Sequence, residues 1–131
     1  MPPNDAPATA EALTPKPNAN GGFSHFVDGD IVAAPADVDH YVVDVTGTKI
    51  SVACSGWRYG SGLRGLKATV LKGDGTAMAG AAQTETETKN VFINAVTIPA
   101  GETQLVVKVE AASQDPLVTG TYYRCGIHVN P

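Results

Sequence analysis

The chain has 131 residues, a formal net charge of −4 and a pI near 5.2. Its length suits one domain with a sizeable core, and its acidic balance argues against nucleic acid, whose phosphates require a basic surface. Apolar residues make up 43% of the chain, which excludes wholesale disorder, and no apolar run approaches the roughly 18 residues of a membrane span.

Turn-forming residues are frequent in the sequence and help to predict the fold class. The chain contains 14 Gly and 9 Pro, set among frequent Val and Thr. Such a mixture is typical of short strands joined by tight turns. No 12-residue window carries the helical spacing of apolar residues at i, i+3, i+4 and i+7. The sequence therefore predicts an all-β fold.

The first 22 residues differ from the remainder of the chain. Residues 1–22 are rich in Pro, lack aromatic residues, Val and Ile, and end in Asn20-Gly21-Gly22. They are predicted to form a linker or an extended arm, and residues 23–131 to form the domain. The start of the chain has no signal-peptide pattern, and we expect it to be that of a fragment.

Eight segments have the composition and alternation of β-strands, and Gly- or Pro-containing turns separate them. An Asp-Gly hairpin turn is predicted at Lys72–Thr76, and a Gly-rich loop at Gly56–Gly65. Seven or eight strands without helices between them predict an antiparallel β-sandwich of jelly-roll type. The predicted strands are Phe26–Val32, Asp39–Val45, Lys49–Ser55, Leu66–Leu71, Ala77–Ala82, Val91–Ile98, Leu105–Ala111 and Thr121–Val129.

The two cysteines bear on the cellular compartment. Cys54 and Cys125 are 71 positions apart, and neither lies in a Cys-x-x-Cys or a His-rich context, so a zinc site is not indicated. Both fall at inward-facing positions of predicted strands, which favours a disulfide. The alternative is two buried free thiols that pack as small apolar side chains. A disulfide would indicate a secreted or periplasmic protein.

Several short motifs occur in the order found in a known bacterial family. They are Asn4–Ala10, Phe26–Ile31, Ala36–Tyr41, the hairpin Leu66–Thr76 and the closing strand Gly120–Val129. In this order they resemble the pre-peptidase C-terminal domain. The resemblance covers nearly the whole chain. It implies a non-catalytic β-sandwich attached to secreted proteases and other exported enzymes.

The resemblance also implies a calcium site. Relatives in clostridial collagenases bind calcium near the N-terminal arm and collagen on one sheet. The corresponding ligands here are Asn4, Asp5, Asp37 and Asp39, whose hard oxygens suit calcium. Pro2 stands where calcium-binding relatives carry Glu, so weak binding is expected. The alternative is that Asp37 caps a turn and Asp39 hydrogen-bonds locally.

The residues give no pattern of a catalytic site. Ser61 lacks the spacing of a Gly-x-Ser-x-Gly nucleophile elbow. The histidines at positions 25, 40 and 128 form no His-Glu-x-x-His motif, and no phosphate-binding loop is present. We therefore expect the protein not to be an enzyme.

The Gly-rich loop is the predicted ligand-contact region. It joins the single Trp57 to Arg58, Tyr59 and Arg64, and clusters of aromatic residues with Arg are typical of recognition sites. An outward-facing Tyr122 would add to a binding surface on the sheet. The alternative is that Trp57 folds back and caps the open end of the sandwich.

Together these features predict a non-catalytic accessory module of an exported bacterial protein, joined to other domains of a parent chain. Its predicted role is substrate or surface targeting, with an extracellular protein or a polysaccharide as ligand. Two alternatives stay open: a structural spacer without a ligand, and a carbohydrate-binding module. We expect a monomer that does not bind nucleic acid and does not span a membrane.

Overall fold

A computed structural model describes residues 7–14, 16–17, 21–31, 38–55, 66–84, 90–111 and 122–131. This part of the chain forms ten β-strands and a single 3-10 turn at Pro7–Thr9. The strands are β1 (Glu11–Ala12), β2 (Lys16–Pro17), β3 (Phe23–Asp30), β4 (Asp39–Asp44), β5 (Lys49–Ser55), β6 (Leu66–Lys72), β7 (Ala77–Thr84), β8 (Val91–Thr97), β9 (Gln104–Ala111) and β10 (Tyr122–Asn130).

The strands form two five-stranded sheets that enclose one core, which confirms the predicted all-β sandwich. Sheet A has the order β1-β4-β9-β6-β7, and sheet B has the order β2-β3-β10-β5-β8. Every pairing is antiparallel except that of β1 with β4. The last strand of the chain, β10, lies in the middle of sheet B between β3 and β5.

The core follows from the alternation of side chains along each strand, because every second residue points to the same face. Sheet A contributes Tyr41, Val43, Leu66, Ala68, Val70, Ala81, Leu105, Val107 and Val109. Sheet B contributes Val27, Ile50, Val52, Cys54, Val91, Ile93, Tyr123, Cys125, Ile127 and Val129. The intervening residues of sheet B point away from the core and form its outer face.

The predicted strands agree with the structure to within a few residues at their ends. The largest difference is in the first predicted strand, which spans Phe23–Asp30 and begins three residues earlier than predicted. The predicted hairpin turn is also present. The Asp74 carboxylate accepts hydrogen bonds from the Thr76 backbone and hydroxyl, and Gly75 has a φ of 87°. Glycine adopts this left-handed conformation without steric cost.

The N-terminal segment is paired with both sheets. Glu11 of β1 lies opposite Tyr41 of β4, and Lys16 of β2 lies opposite Ser24 of β3. Between these pairings, the Leu13 N–H donates to the carbonyl of Val42 at 3.1 Å. Residues 7–14 and 16–17, called the strap below, therefore cover one edge of each sheet.

Candidate binding face

The outer face of sheet B carries two exposed aromatic side chains. Phe26 on β3 is 69% exposed and Phe92 on β8 is 53% exposed. Among the described residues, these are the large hydrophobic side chains that are more than half exposed. Each lies between two inward-facing residues, so strand alternation turns it outward.

The two rings belong to one row of residues that crosses the sheet. Phe26 pairs with Gly126 on β10, Gly126 pairs with Ala53 on β5, and Ala53 pairs with Phe92. The two middle positions have almost no side chain, so the row forms a shallow floor between two aromatic rings. We call these four residues the platform.

The Phe26 ring extends over the glycine next to it. A Cβ atom at Gly126 would lie 3.3 Å from Cε1 of Phe26. The same ring makes an edge contact with His128, with ring centroids 5.9 Å apart and planes at 83°. His128 is in turn held by a hydrogen bond between its Nδ1 and the Ser24 hydroxyl at 2.9 Å. Neighbouring side chains thus fix the orientation of the Phe26 ring.

The backbone that carries Phe92 is fixed by two side chains. The Phe92 N–H donates to Oε1 of Gln83 on β7, which links the facing edges of the two sheets. Three residues further, Ala95 has a φ of 50° at an irregularity in the β5–β8 pairing. Its N–H donates to the Ser51 hydroxyl at 2.9 Å. A bulge of this kind re-aims the neighbouring side chains of the strand.

Polar groups of balanced charge surround the platform. Next to Phe26 and Gly126, Asp28 and Arg124 form an ion pair, with Nε 2.7 Å from Oδ1 and a second contact at 3.4 Å. Such a pair in solvent contributes little to stability, but it neutralises this end of the face. Asn94 lies exposed on the same side of β8 as Phe92.

A buried hydrogen-bonded cluster links the two sheets through the core. The Tyr123 hydroxyl on β10 donates to Oδ2 of Asp39 on β4 at 2.5 Å. The Tyr41 and Tyr123 hydroxyl oxygens are 2.5 Å apart, and Tyr41 is the donor because the Tyr123 proton is directed at the carboxylate. All three side chains are at most 8% exposed. The buried Asp39 carboxyl group thus has a hydrogen-bond partner, as a buried polar group requires.

The tyrosines of this cluster stay protonated at neutral pH. Burial raises the pKa of Tyr41 to about 12. Burial, together with the hydrogen bond to Asp39, raises the pKa of Tyr123 still further above its usual value. Neither hydroxyl ionises in the physiological range, so the cluster is a structural link between the sheets.

His25 is a buried titratable group on β3, at the edge of sheet B that the strap covers. Its side chain is 3% exposed, and neither ring nitrogen makes a hydrogen bond of normal geometry within the described residues. Burial lowers the pKa of His25, and the Thr14 backbone and then the Asp44 carboxylate, which both favour the protonated ring, oppose that shift. The neutral ring is therefore the form that the folded protein accommodates.

We expect acid to destabilise the protein through His25. The unfolded chain takes up this proton near pH 6.5 and the folded chain only at lower pH. The His25 contribution to stability is therefore complete above pH 6.5 and is lost as the pH falls below that value. Urea unfolding at pH 7.5 and pH 5.5 measures the decrease in the free energy of unfolding. This decrease should be smaller in His25→Leu. A His25→Leu protein with the wild-type pH dependence, compared with His128→Gln as control, would contradict the expectation.

The structure describes only some of the sequence-predicted site residues. Cys54 and Cys125 lie at disulfide distance, with sulfur atoms 2.08 Å apart, and they are cross-strand partners of β5 and β10. Asp39 is buried and contacts Tyr123. The other predicted positions lie outside the described residues or, for Tyr122, outside the described side chains: Asn4, Asp5, Asp37, Trp57, Arg58, Tyr59, Arg64 and Tyr122.

The platform was not among the sequence-predicted sites. A signal for it is present, because Phe26 stands between His25 and Val27, and Phe92 between Val91 and Ile93. Strict alternation therefore places both phenylalanines on the outer face. Their alignment in one row depends on the register of three strand pairings, which the sequence does not reveal.

No protein-family model matches the chain, and no curated protein is significantly similar to it. Within the part of the chain that the structure describes, no helix has the length and hydropathy needed to cross a membrane. The same residues contain no group of three or more His, Cys, Asp or Glu side chains that could hold a metal ion.

Proposed function

We propose that the protein is a non-catalytic binding module of an exported bacterial protein, and that the outer face of sheet B contacts its ligand. The observation that carries the proposal is the platform, in which Phe26 and Phe92 are exposed in one row across a floor of Gly126 and Ala53. Ordered aromatic side chains that remain in water are typical of recognition surfaces.

The platform favours a binding module over a structural spacer. A single exposed hydrophobic residue is common on protein surfaces and needs no explanation. Here two exposed rings share a row; the Phe26 ring contacts His128, and a hydrogen bond to Gln83 holds the Phe92 backbone. A spacer gains nothing from two aligned phenylalanines in contact with water, whereas a module that binds an extended ligand does.

Export is supported by the cysteine pair. Cys54 and Cys125 are at disulfide distance, and disulfides persist mainly in oxidising compartments. The resemblance to pre-peptidase C-terminal domains supports the same placement and a parent protein with further domains. The family assignment itself is a proposal that rests on short motifs.

Calcium belongs to the proposal as a weakly bound stabilising ion. Of the predicted ligands only Asp39 is described, and one of its oxygens accepts the Tyr123 hydroxyl hydrogen bond. The described residues alone do not form a calcium site. Within the strap, β1 runs parallel to β4, the strand that begins at Asp39, and this supports an arrangement in which the residues before β1 supply the remaining oxygen ligands.

The experiment is cosedimentation of the protein with insoluble cellulose, chitin, xylan and fibrous collagen, in calcium and in chelator. We expect the protein to bind at least one matrix. The double variant Phe26→Ser/Phe92→Ser should lose this binding, and Thr69→Ala, a control on sheet A, should keep it. A thermal melt in both buffers reports the calcium contribution, which should raise Tm. If the protein binds none of the matrices, the result would support the structural-spacer alternative. If Tm is the same in calcium and in chelator, the calcium proposal is refuted.

A further inference from the structure

We infer that the ligand of the platform is a neutral polysaccharide chain that crosses the strands of sheet B and stacks sugar rings on Phe26 and Phe92. This inference rests on the proposed function and specifies its ligand. Aromatic rings bind the apolar faces of sugar rings, and the remaining hydroxyl groups need polar partners around them. Both kinds of group are present on this face.

The spacing of the two rings suits an extended sugar chain. Because the Phe26 ring covers Gly126 on β10, it is separated from β8 by two inter-strand intervals, or about 10 Å. This distance is comparable to the length of a disaccharide unit in an extended polysaccharide. Since the Phe26 ring lies over Gly126, the row position between this ring and Phe92 is Ala53, whose single methyl group does not obstruct a chain that runs from one ring to the other.

The polar groups around the platform match a neutral, hydroxyl-rich ligand. The charged pair beside it, Asp28 and Arg124, is internally neutralised. The exposed Asn94 amide can donate and accept hydrogen bonds, as sugar hydroxyls require. An anionic polymer would find no excess of positive charge among the described residues of this row.

A globular protein partner fits the platform less well. Stable protein interfaces bury about 800 Å² on each partner around a contiguous apolar core. Here the apolar surface consists of two rings separated by residues with almost no side chain. Separate rings on a flat sheet provide discrete stacking points for a ligand of repeating rings.

The test is affinity electrophoresis of the full chain. The neutral polysaccharides are soluble hydroxyethylcellulose, xylan and galactomannan. Alginate is the anionic probe, and gelatin is the protein probe. We expect at least one neutral polysaccharide to retard the protein. Phe26→Ala and Phe92→Ala should each weaken binding about tenfold, the loss typical of removing one aromatic anchor. Phe26→Tyr and Phe92→Tyr, which keep the rings, should bind like the wild type, as should Thr69→Ala.

The outcomes separate this inference from the proposed function. Ring-dependent binding to gelatin or collagen alone would overturn the polysaccharide and leave the binding module. Retardation by alginate alone would also overturn the inference. So would binding to a neutral polysaccharide if Phe26→Ala and Phe92→Ala both bound it as tightly as the wild type. If no probe in either experiment binds, the proposed function fails as well. Thermal melts of each variant establish that loss of binding does not reflect loss of folding.

Discussion

Gly29→Ala is expected to destabilise the protein by about 2–4 kcal/mol, through overpacking and disruption of buried hydrogen bonds. Gly29 lies directly opposite Tyr123 in the β3–β10 pairing. A Cβ atom at this position would lie 2.4 Å from the Tyr123 hydroxyl oxygen and 2.5 Å from Cζ. The ring would have to move away, and the hydrogen bonds to Tyr41 and Asp39 would be lost with it. Urea unfolding of the variant measures the change.

A double-mutant cycle tests the cause. If the tyrosine ring is the obstacle, Gly29→Ala should cost much less in a Tyr123→Ala background, because the obstructing atoms are gone. Tyr123→Phe serves as control, since it removes the hydroxyl and keeps the ring. If Gly29→Ala lowers the free energy of unfolding equally in the wild-type and Tyr123→Ala backgrounds, the ring does not determine the need for glycine at this position.

Loss of the Cys54–Cys125 crosslink is expected to have a comparable effect. The crosslink closes a loop of 71 residues, for which the chain-entropy model gives a contribution of about 4 kcal/mol. Because the two residues pair within sheet B, neighbouring strands keep them together in the folded state even without the bond. The reduced protein should therefore fold but unfold at a lower urea concentration.

Reduction separates the crosslink from the packing of the two sulfur atoms. Unfolding of the oxidised protein, the reduced protein and Cys54→Ala/Cys125→Ala gives the two contributions, since only the alanine variant also leaves core volume empty. Thiol titration of the denatured, unreduced protein should find no free thiol. Two titratable thiols per chain would refute the crosslink and remove the main support for export.

The sandwich was predictable because its strands have strong local signals. Lys49–Ser55 alternates so regularly that its ends and inward face, including Cys54, match the structure. The hairpin at Lys72–Thr76 follows from the Asp-Gly pair alone. The first strand was placed three residues late because Phe23-Ser24-His25 directly follows two glycines and has little apolar alternation of its own.

The features that depend on long-range register were not predictable. The contact between Asp39 and Tyr123 joins residues 84 positions apart on different sheets. The strap forms strands of only two residues, and such short strands carry no period. Phenylalanines in a strand are usually assigned to a core, so the outward positions of Phe26 and Phe92 are evident only once alternation is followed strictly.

The position of β10 has a consequence for synthesis. A ribosome releases the chain from its N-terminus, so β3, β5 and β8 emerge well before Tyr122–Asn130. Since β10 lies between β3 and β5, sheet B stays divided until β10 has left the exit tunnel. The disulfide between Cys54 and Cys125 likewise cannot form before Cys125 has been synthesised. The domain therefore completes its fold only after its whole sequence has been synthesised, because β10 is the strand that joins the two parts of sheet B.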